Sequence, residues 1–234
     1  MKHIVITGAS SGIGRTTSNL LLEKGHKVSL LSRSIEKLSA EFDSPRASLI
    51  QCDVKDYASV QKAISMAIEA QGPIDVLINN AGLGVFDKFA DGKIEEWHNM
   101  IDTNVKGVLN CLHAALPHLI SSKGHIINIA SVAAHHVFPN SGVYCSTKWA
   151  VAAISESIRL ELSNEVRVTT ISPGAVNTPF IDQTSNEALL KDYKGYFAEG
   201  LDPTIIAQNI LHTINTSDTA VISEIIVRPN RQHK

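Results

Sequence analysis

Tyr144 and Lys148, in the segment YCSTK, have the residue types and spacing needed to move a proton. Residues four positions apart lie on one face of a helix, so the phenol and the ammonium would lie close together. A free tyrosine has a pKa of about 10 and is a weak base at neutral pH. Because a nearby cation favours the phenolate, we expect Lys148 to lower the pKa of Tyr144, which could then give or take a proton. The pattern alone is common on helices and does not identify an enzyme.

Two further polar residues have positions that suit them to assist Tyr144. Ser131 stands thirteen positions before Tyr144, at the end of an apolar run, where its hydroxyl could hold a substrate oxygen beside the phenol. Asn104 lies in DTNVKG, inside a helical pattern in which asparagine is a poor helix former. An internal polar residue can bend a helix and admit a water, which could pass protons from Lys148 to solvent.

A glycine-rich turn near the start of the chain has features of a phosphate site. Gly8, Gly12 and Gly14 follow the first apolar run in TGASSGIG. Glycine permits a tight turn, and a helix that begins there offers free N–H groups to a pyrophosphate. The spacing G-x-x-x-G-x-G departs from the G-x-G-x-x-G pattern. A glycine-rich turn without a ligand is therefore the alternative interpretation.

The end of the second apolar run bears on the choice of nucleotide. An acidic residue there usually binds the ribose 2′-hydroxyl of NAD(H), whereas this chain has Ser32 and Arg33. A guanidinium suits a 2′-phosphate, and Arg15 could add a second cation. We expect NADP(H) to be preferred, with NAD(H) possible. The alternative is that Arg33 is a solvated surface charge.

Two more segments follow apolar runs. Asp53 could accept a hydrogen bond from an adenine amino group, although a helix N-cap is an alternative role for it. In NNAG at 79–82, the amides of Asn79 and Asn80 could tie adjacent loops together, and Ala81 and Gly82 leave room for a ribose. Both segments lie where ligands meet a parallel sheet.

Apolar runs alternate with helical patterns along the whole chain. The predicted strands are 3–7, 27–32, 48–52, 75–79, 125–130, 167–172 and 221–227. The predicted helices are about 13–24, 35–42, 60–71, 94–120, 142–162 and 203–215. This alternation predicts an α/β fold: one Rossmann-type, doubly wound domain over 1–234, with a seven-stranded parallel sheet and helices on both faces.

Composition excludes several classes of protein. The chain has 234 residues, 21 Lys and Arg against 23 Asp and Glu, and a net charge of −2, which argues against nucleic-acid binding. No apolar stretch is long enough to cross a membrane, and the N-terminus does not resemble a signal peptide. Cys52, Cys111 and Cys145 are too few and scattered for a disulfide framework or a metal site. We expect a cytoplasmic protein without metal.

Taken together, these motifs resemble the short-chain dehydrogenases/reductases, in the branch whose chains are about this long. The resemblance covers nearly the whole chain, and Ser32 with Arg33 is similar to the NADP-preferring type. The residues that carry it occur in the family's order: TGASSGIG at 7–14, Asp53, NNAG, Asn104, Ser131, Tyr144, Lys148, PG at 173–174 and Thr178.

The resemblance implies roles for individual residues. Tyr144 would be the catalytic acid/base, Lys148 would also hold the nicotinamide ribose, and Ser131 would orient the substrate. Asn104 would support the proton relay. The implied cofactor residues are Gly8, Ser10, Ser11, Gly12, Ile13, Gly14, Arg15, Ser32, Arg33, Asp53, Val54, Asn80, Ala81, Gly82, Tyr144, Lys148, Pro173, Gly174, Val176 and Thr178. The implied substrate residues are Ser131, Ala133, His135, Tyr144 and Phe180, although His135 could equally be a partly exposed loop residue.

The family closes a lid over its substrate, here about 177–200. Apolar and aromatic residues dominate this stretch, including Phe180, Tyr193, Tyr196 and Phe197, which favours a hydrophobic or aromatic carbonyl compound or alcohol. The leading interpretation is an NADP-dependent carbonyl reductase or secondary-alcohol dehydrogenase. The alternatives are a 3-oxoacyl-[acyl-carrier-protein] reductase and a catalytically silent NADP-binding sensor. The resemblance also implies a homodimer or homotetramer, paired through the two long helices.

Overall fold

A computed structural model describes residues 1–230, so the last four residues of the predicted domain lie outside the described part. Seven parallel strands form one sheet in the order β3-β2-β1-β4-β5-β6-β7, which confirms the predicted sheet. The strands are β1 His3–Thr7, β2 Lys27–Ser32, β3 Ala47–Gln51, β4 Val76–Asn79, β5 His125–Ile129, β6 Arg167–Pro173 and β7 Glu224–Val227. The last strand is shorter than the predicted 221–227.

Helices connect the strands. They are α1 Gly12–Glu23, α2 Ile35–Ser39, α3 Tyr57–Gln71, α4 Ile94–Ile101, α5 Gly107–Ser122, α6 Gly142–Glu161, α7 Glu187–Ala198 and α8 Pro203–Ile214. The predicted helix over 94–120 is divided, because a π-helical turn at Asp102–Lys106 separates α4 from α5. The stretch 177–200 is more regular than its pattern indicates, with a 3₁₀ turn at Pro179–Ile181 followed by α7. No helix among residues 1–230 is long and apolar enough to cross a membrane.

The sheet is covered by apolar layers on both faces. Every residue of β1 is buried, which explains its continuous apolar run. Val5 and Leu77 belong to one core cluster, which α3, α5 and α6 complete. Ile4 and Ile6 belong to the other, which α1 and α8 complete. Alternate residues of the same strand therefore stabilise opposite faces of the sheet.

The strand order creates a crevice at the carboxyl end of the sheet. β1 pairs with β2 on one side and with β4 on the other, so the connections from β1 and β4 leave in different directions. In doubly wound sheets, ligands bind at such a switch point. The glycine turn, Asn80 and Ser131 all follow strands at this end.

Candidate active site

The glycine turn after β1 has a backbone conformation and packing that require residues without a Cβ. Gly8 and Gly12 have φ values of +66° and +51°, a region that residues with a Cβ rarely adopt. A Cβ on Gly14 would clash with the Gly8 carbonyl oxygen and the Asn80 side chain. Asn80 Nδ2 donates to Thr7 O at 2.9 Å and to Gly8 O at 3.2 Å, which ties the loop after β4 to the turn after β1.

One cavity of about 500 Å³ runs along the carboxyl end of the sheet, from Arg33 to the aromatic residues of α7. It is lined by nearly all of the predicted cofactor residues: Gly8, Ser10, Ser11, Gly12, Ile13, Ser32, Arg33, Asp53, Val54, Asn80, Ala81, Gly82, Tyr144, Lys148, Pro173, Gly174, Val176 and Thr178. The structure therefore brings together residues that are widely separated along the chain.

Two predicted cofactor residues lie outside the lining. Gly14 packs behind the turn and does not face the cavity. Its lack of a Cβ lets the backbone of Gly8 and the side chain of Asn80 lie close to α1. Arg15 turns toward Glu41, with Nε 3.8 Å from a carboxylate oxygen, and its side chain is 53% exposed. Arg15 is therefore placed as a surface cation rather than as a second cation beside Arg33.

The nucleotide end of the cavity is rich in hydroxyls. Ser32 Oγ donates to Ser10 Oγ at 2.9 Å, and the Ser34 N–H donates to Ser32 Oγ at 3.1 Å. Ser34 also lines the cavity and was not predicted, since a serine before a charged helix gives no distinct signal. Asp53 lines the cavity as well, and the N-cap of α3 is Asp56. The N-cap alternative for Asp53 is thus wrong.

Tyr144 and Lys148 meet on one face of α6, as their spacing predicts. Lys148 Nζ lies 5.9 Å from the centre of the Tyr144 ring. The same ammonium donates to Ile129 O at 2.8 Å, at the end of β5. Both side chains are buried, yet both border the cavity. The phenol can therefore reach a ligand while the protein excludes water from most of its surroundings.

Burial shifts the proton affinities of the pair in opposite directions. It raises the pKa of Tyr144 above its usual value, and hydrogen bonding with Ser131 works against this rise. It lowers the pKa of Lys148 to about 8. The pKa of Tyr144 is therefore raised and not lowered as the sequence predicts, because desolvation of the phenolate dominates. Tyr144 is accordingly a phenol at neutral pH, ready to donate a proton.

Asn104 lies in the π-helical turn and interrupts the helix as its low helix propensity suggests. Its Oδ1 accepts from Leu83 N at 2.9 Å, and its Nδ2 donates to Leu83 O and to Thr147 Oγ1 at 2.9 and 3.0 Å. Thr147 Oγ1 donates in turn to Tyr144 O at 2.7 Å. Asn104 does not border the cavity; it braces α6 from behind. Thr147 was not predicted, because its role depends on this contact between helices.

The segment after β5 carries Ser131 into the cavity. Ser131 Oγ accepts from Ala133 N at 3.1 Å and donates to Pro173 O at 3.4 Å. Ser131 and Ala133 line the cavity as predicted, whereas His135 does not. The His135 ring turns to Glu224 on β7, with Nε2 2.8 Å from Oε1. The prediction that His135 lines the substrate pocket therefore needs correction, since a carboxylate on the edge strand holds its ring.

Aromatic rings enclose the other end of the cavity. The Tyr144 ring lies 5.3 Å from that of Phe180 and 5.8 Å from that of Phe86. Phe86 stacks on Tyr193 at 4.6 Å. Phe138, Tyr196 and Phe197 also line this end. Phe86 and Phe138 were not predicted, because lone aromatics in loops carry no periodic signal.

Charged side chains are few along the cavity. Those that line it are Arg33, Asp53 and Lys148, which lie at the nucleotide end and beside Tyr144. The aromatic end therefore offers rings and apolar groups to a ligand. Within residues 1–230 there is also no cluster of three or more His, Cys, Asp or Glu placed to hold a metal ion.

The comparison with protein families decides the class. A model of short chain dehydrogenases matches residues 2–189, most of the chain. This chain belongs to the short chain dehydrogenase family. A short chain dehydrogenase relative, an uncharacterized oxidoreductase of Staphylococcus saprophyticus, is 43% identical, over 99% of this chain and 97% of the relative. The protein is thus an oxidoreductase of the type that acts on CH–OH or carbonyl groups.

Several solved dehydrogenase structures share the fold over nearly the whole of this chain. An alcohol dehydrogenase from Thermococcus sibiricus, complexed with 5-hydroxy-NADP, is 29% identical with a TM-score of 0.87, covering 100% of this chain and 99% of that one. A serine dehydrogenase complexed with NADP⁺ is 28% identical with a TM-score of 0.91, covering 99% and 96%. A family member from Burkholderia phymatum in complex with NAD is 26% identical with a TM-score of 0.85, covering 96% and 88%.

The residues present fit a nicotinamide dinucleotide. A Cβ at Gly8 would lie 2.9 Å from Ala81 Cα and one at Gly12 would lie 3.1 Å from the Thr178 side chain, so glycine keeps the space between the turn and these cavity residues free. Ser11 makes no side-chain hydrogen bond at the start of α1, so the first N–H groups of that helix are available to a phosphate. The cavity runs along the carboxyl end of the sheet from Ser32 and Arg33 to Tyr144.

Proposed function

We propose that this short chain dehydrogenase is an NADP(H)-dependent oxidoreductase that interconverts a hydrophobic or aromatic carbonyl compound and the corresponding alcohol. Tyr144 and Ser131 line one cavity, with Arg33 at one of its ends. The other end is an aromatic chamber, formed by Phe86, Phe138, Phe180, Tyr193, Tyr196 and Phe197. This arrangement is the observation that carries the proposal. Tyr144 would be the catalytic acid/base, assisted by Ser131 and Lys148. A nicotinamide dinucleotide, when bound, supplies the hydride chemistry.

The protein's own residues would handle the proton and the substrate oxygen. Ser131 Oγ would donate a hydrogen bond to that oxygen and hold it beside the Tyr144 hydroxyl. During reduction Tyr144 would give its proton to the oxygen, and during oxidation it would take the proton back. The Lys148 ammonium would stabilise the phenolate that forms. General acid assistance of this kind is worth about 10²–10⁴-fold in rate.

The cofactor preference rests on the nucleotide end of the cavity. Arg33 and the hydroxyls of Ser10, Ser32 and Ser34 offer donors to a 2′-phosphate. Acidic side chains do not follow β2 within Ser32–Ile35, where NAD(H)-preferring folds place one. Equal KM values for NADPH and NADH, or a lower value for NADH, would contradict this preference.

The chamber supports the substrate class. Its rings offer large apolar faces, and the charged side chains among residues 1–230 that line the cavity lie at the nucleotide end and beside Tyr144. This suits an uncharged ketone or aldehyde with an aromatic or aliphatic body. The 3-oxoacyl-[acyl-carrier-protein] reductase and the silent NADP-binding sensor are the competing hypotheses. Neither is favoured by a specific feature of the site: all of Asn104, Ser131, Tyr144 and Lys148 are present, and the chamber is aromatic.

A substrate panel separates these hypotheses. We would follow NADPH oxidation with aromatic ketones, diketones, sugars and an acetoacetyl thioester as separate substrates. Turnover of aromatic ketones well above that of sugars and the thioester supports the proposal. Turnover confined to the thioester would move the protein to acyl reduction, and NADPH binding without any turnover would favour the sensor.

We also propose that the protein is a homodimer or homotetramer, paired through its long helices. Exposed apolar side chains on α5 and α6 support this: Leu109 is 46% exposed, Trp149 49% and Leu160 63%. Burying them against a second copy would remove apolar surface from water. Light scattering of the purified protein tests this, and a monomer at micromolar concentration would contradict it.

A further inference from the structure

A polar cluster joins the segment after β5 to the edge of the sheet. Glu224 Oε1 on β7 accepts from Ser172 Oγ on β6 at 2.9 Å and from His135 Nε2 at 2.8 Å. His135 Nε2 also lies 3.4 Å from Ser172 Oγ. Ser172 is fully buried, while the side chains of His135 and Glu224 are 28% and 36% exposed. One carboxylate oxygen thus gathers donors from two different segments.

The cluster holds both ends of a short segment that contains Ser131. At one end, Ser131 Oγ contacts the carbonyl oxygen of Pro173, the residue directly after Ser172. At the other end, His135 follows the 3₁₀ turn Val132–Ala134 and is bonded to Glu224. Both ends of the segment therefore contact adjacent residues of β6: Ser131 contacts Pro173, and His135 lies beside Ser172.

We propose that His135, Ser172 and Glu224 form a positioning clasp that sets the orientation of Ser131 in the active site. The His135 ring contacts Glu224 and does not line the ligand cavity, so it would act through the backbone of residues 131–135. A side chain that must hold a substrate oxygen gains from such support, because small displacements of a reacting group reduce the rate strongly. The proposal rests on the role proposed above for Ser131.

The Ser172–Glu224 contact alone would not fix the loop. Ser172 and Glu224 lie on neighbouring paired strands, where the register Thr170↔Glu224 and Ser172↔Ile226 already fixes their distance. His135 is the member that comes from outside the sheet. Its bond to Glu224 therefore ties the active-site segment to β7, which the backbone pairing of β6 with β7 does not do.

Single and double variants test the clasp. His135→Leu and Glu224→Leu each remove the contact with an apolar side chain, and the double variant removes both partners. Glu224→Gln keeps an oxygen acceptor. His136→Leu is the matched control, since His136 is the exposed neighbour of His135 on the same loop. The measurements are kcat and KM with an aromatic ketone, the NADPH dissociation constant, and amide hydrogen exchange of residues 131–136.

We expect His135→Leu and Glu224→Leu to lower kcat by about 3- to 10-fold and to speed amide exchange in this segment, with NADPH binding unchanged. The double variant should be no worse than Glu224→Leu alone, because the single change at Glu224 already removes the contact with His135. Glu224→Gln should recover most of kcat, and His136→Leu should match the wild type.

Several outcomes would overturn the clasp. One is unchanged kcat in His135→Leu with a lower melting temperature, which would make the contact merely structural. Another is additive losses in the double variant. Amide exchange requires no substrate, so a wild type that reduced no ketone would contradict the proposed function, while unchanged exchange in the Leu variants would contradict the clasp.

Discussion

At the scale of single residues, the active site is governed by burial. Tyr144 and Lys148 both stand at the border of the cavity, yet little of either is reached by solvent. Desolvation disfavours the charged form of each group, so it raises the pKa of the phenol and lowers that of the ammonium. The apoprotein thereby keeps a protonated acid beside an amine of reduced proton affinity. That arrangement suits proton donation to a carbonyl oxygen.

Replacing Tyr144 by Phe should remove the proton donor and keep the ring. We expect kcat to fall by about 10²–10⁴-fold, because general acid catalysis is lost. NADPH binding, measured by fluorescence titration, should change little. Tyr57→Phe is a suitable control, since Tyr57 is a tyrosine bonded to His113 outside the cavity. Near-normal turnover in Tyr144→Phe would refute the assignment of Tyr144 as acid.

Replacing Lys148 by Met should make the fold more stable while abolishing turnover. In the folded protein Lys148 loses its proton at a pKa of about 8, against 10.5 for a free lysine. Below pH 8 the fold therefore contains a buried charge, and the contribution of Lys148 to stability rises with pH between about 8 and 10.5. Removing that charge should raise the free energy of unfolding at pH 7 by about 1–3 kcal/mol.

Urea denaturation at pH 7 and pH 10 measures this effect. The gain of Lys148→Met over the wild type should shrink at pH 10, where the folded wild-type lysine is neutral and the unfolded one is losing its charge. Lys191→Met, on the exposed side of α7, should show no gain at either pH. A less stable Lys148→Met protein at pH 7 would mean that the hydrogen bond to Ile129 O outweighs the burial of the charge.

The sequence identifies residues of this site whose role follows from type and local spacing. Tyr144, Lys148, Ser131 and the glycine turn are of this kind, since each has a local pattern. For His135 the pocket interpretation is wrong, and the structure agrees with the alternative of a partly exposed loop residue. Its partner Glu224 is distant along the chain, and no local pattern reports that contact. Thr147 was missed for the same reason. Side-chain contacts between segments that are distant along the chain require the fold.

At the scale of elements, two helical glycines differ in the space that surrounds them. Gly14, in α1, lies against the Gly8 backbone and the Asn80 side chain. At Gly195, in α7, a methyl group would enter open space, with no neighbouring atom of residues 1–230 within 4 Å of it. The same substitution by alanine should therefore have opposite effects. Apolar periodicity could not distinguish these two positions, although it located most helices and all strands.

Gly14→Ala should lower the free energy of unfolding by about 1–3 kcal/mol, because the backbone beneath the turn has no room for a methyl group. Gly195→Ala should raise it by about 0.5–1 kcal/mol, because alanine is the better helix former. Thermal unfolding of both variants beside the wild type measures the difference. Effects of the same sign would contradict the packing described for the glycine turn.

Helix α7 forms one side of the aromatic chamber through Tyr193. Its ring stacks on Phe86, and its hydroxyl donates to Pro139 O at 3.1 Å, which fastens α7 to the loop before α6. Tyr193→Ala should enlarge the chamber and remove this attachment. We expect kcat/KM for small aromatic ketones to fall about tenfold, while bulkier ketones gain relative to them.

Tyr193→Phe separates the two contributions of this side chain. It keeps the stacked ring and loses the hydrogen bond, so it should retain the wild-type order of substrates with a modest rise in KM. The ratio of kcat/KM for a bulky and a small ketone is the decisive quantity. An unchanged ratio in Tyr193→Ala would show that α7 does not set the size of the chamber.

At the scale of the whole molecule, cofactor binding should link the distant ends of the sheet. Residues at or just after the carboxyl ends of β1 to β6 line the cavity, so a ligand that fills it contacts the ends of most strands. A ligand that binds only the folded state stabilises it by about 2.7 kcal/mol at a concentration 100 times its dissociation constant. For a chain of this size that corresponds to a rise in melting temperature of roughly 5–10 °C.

Two arginines allow the rise in melting temperature on cofactor binding to test the choice between NADPH and NADH. Arg33 lines the cavity, whereas Arg15 turns to Glu41. We expect NADPH to raise the melting temperature of the wild type more than NADH does at equal concentration. Arg33→Ala should weaken NADPH binding by about 10- to 100-fold and leave NADH binding unchanged, because only NADPH carries the 2′-phosphate. Arg15→Ala should behave as the wild type with both cofactors. Equal losses of NADPH affinity in the two variants would place Arg15 beside the 2′-phosphate. Unchanged NADPH affinity in Arg33→Ala would contradict the role of Arg33 and leave the hydroxyls of Ser10, Ser32 and Ser34 as the source of any preference.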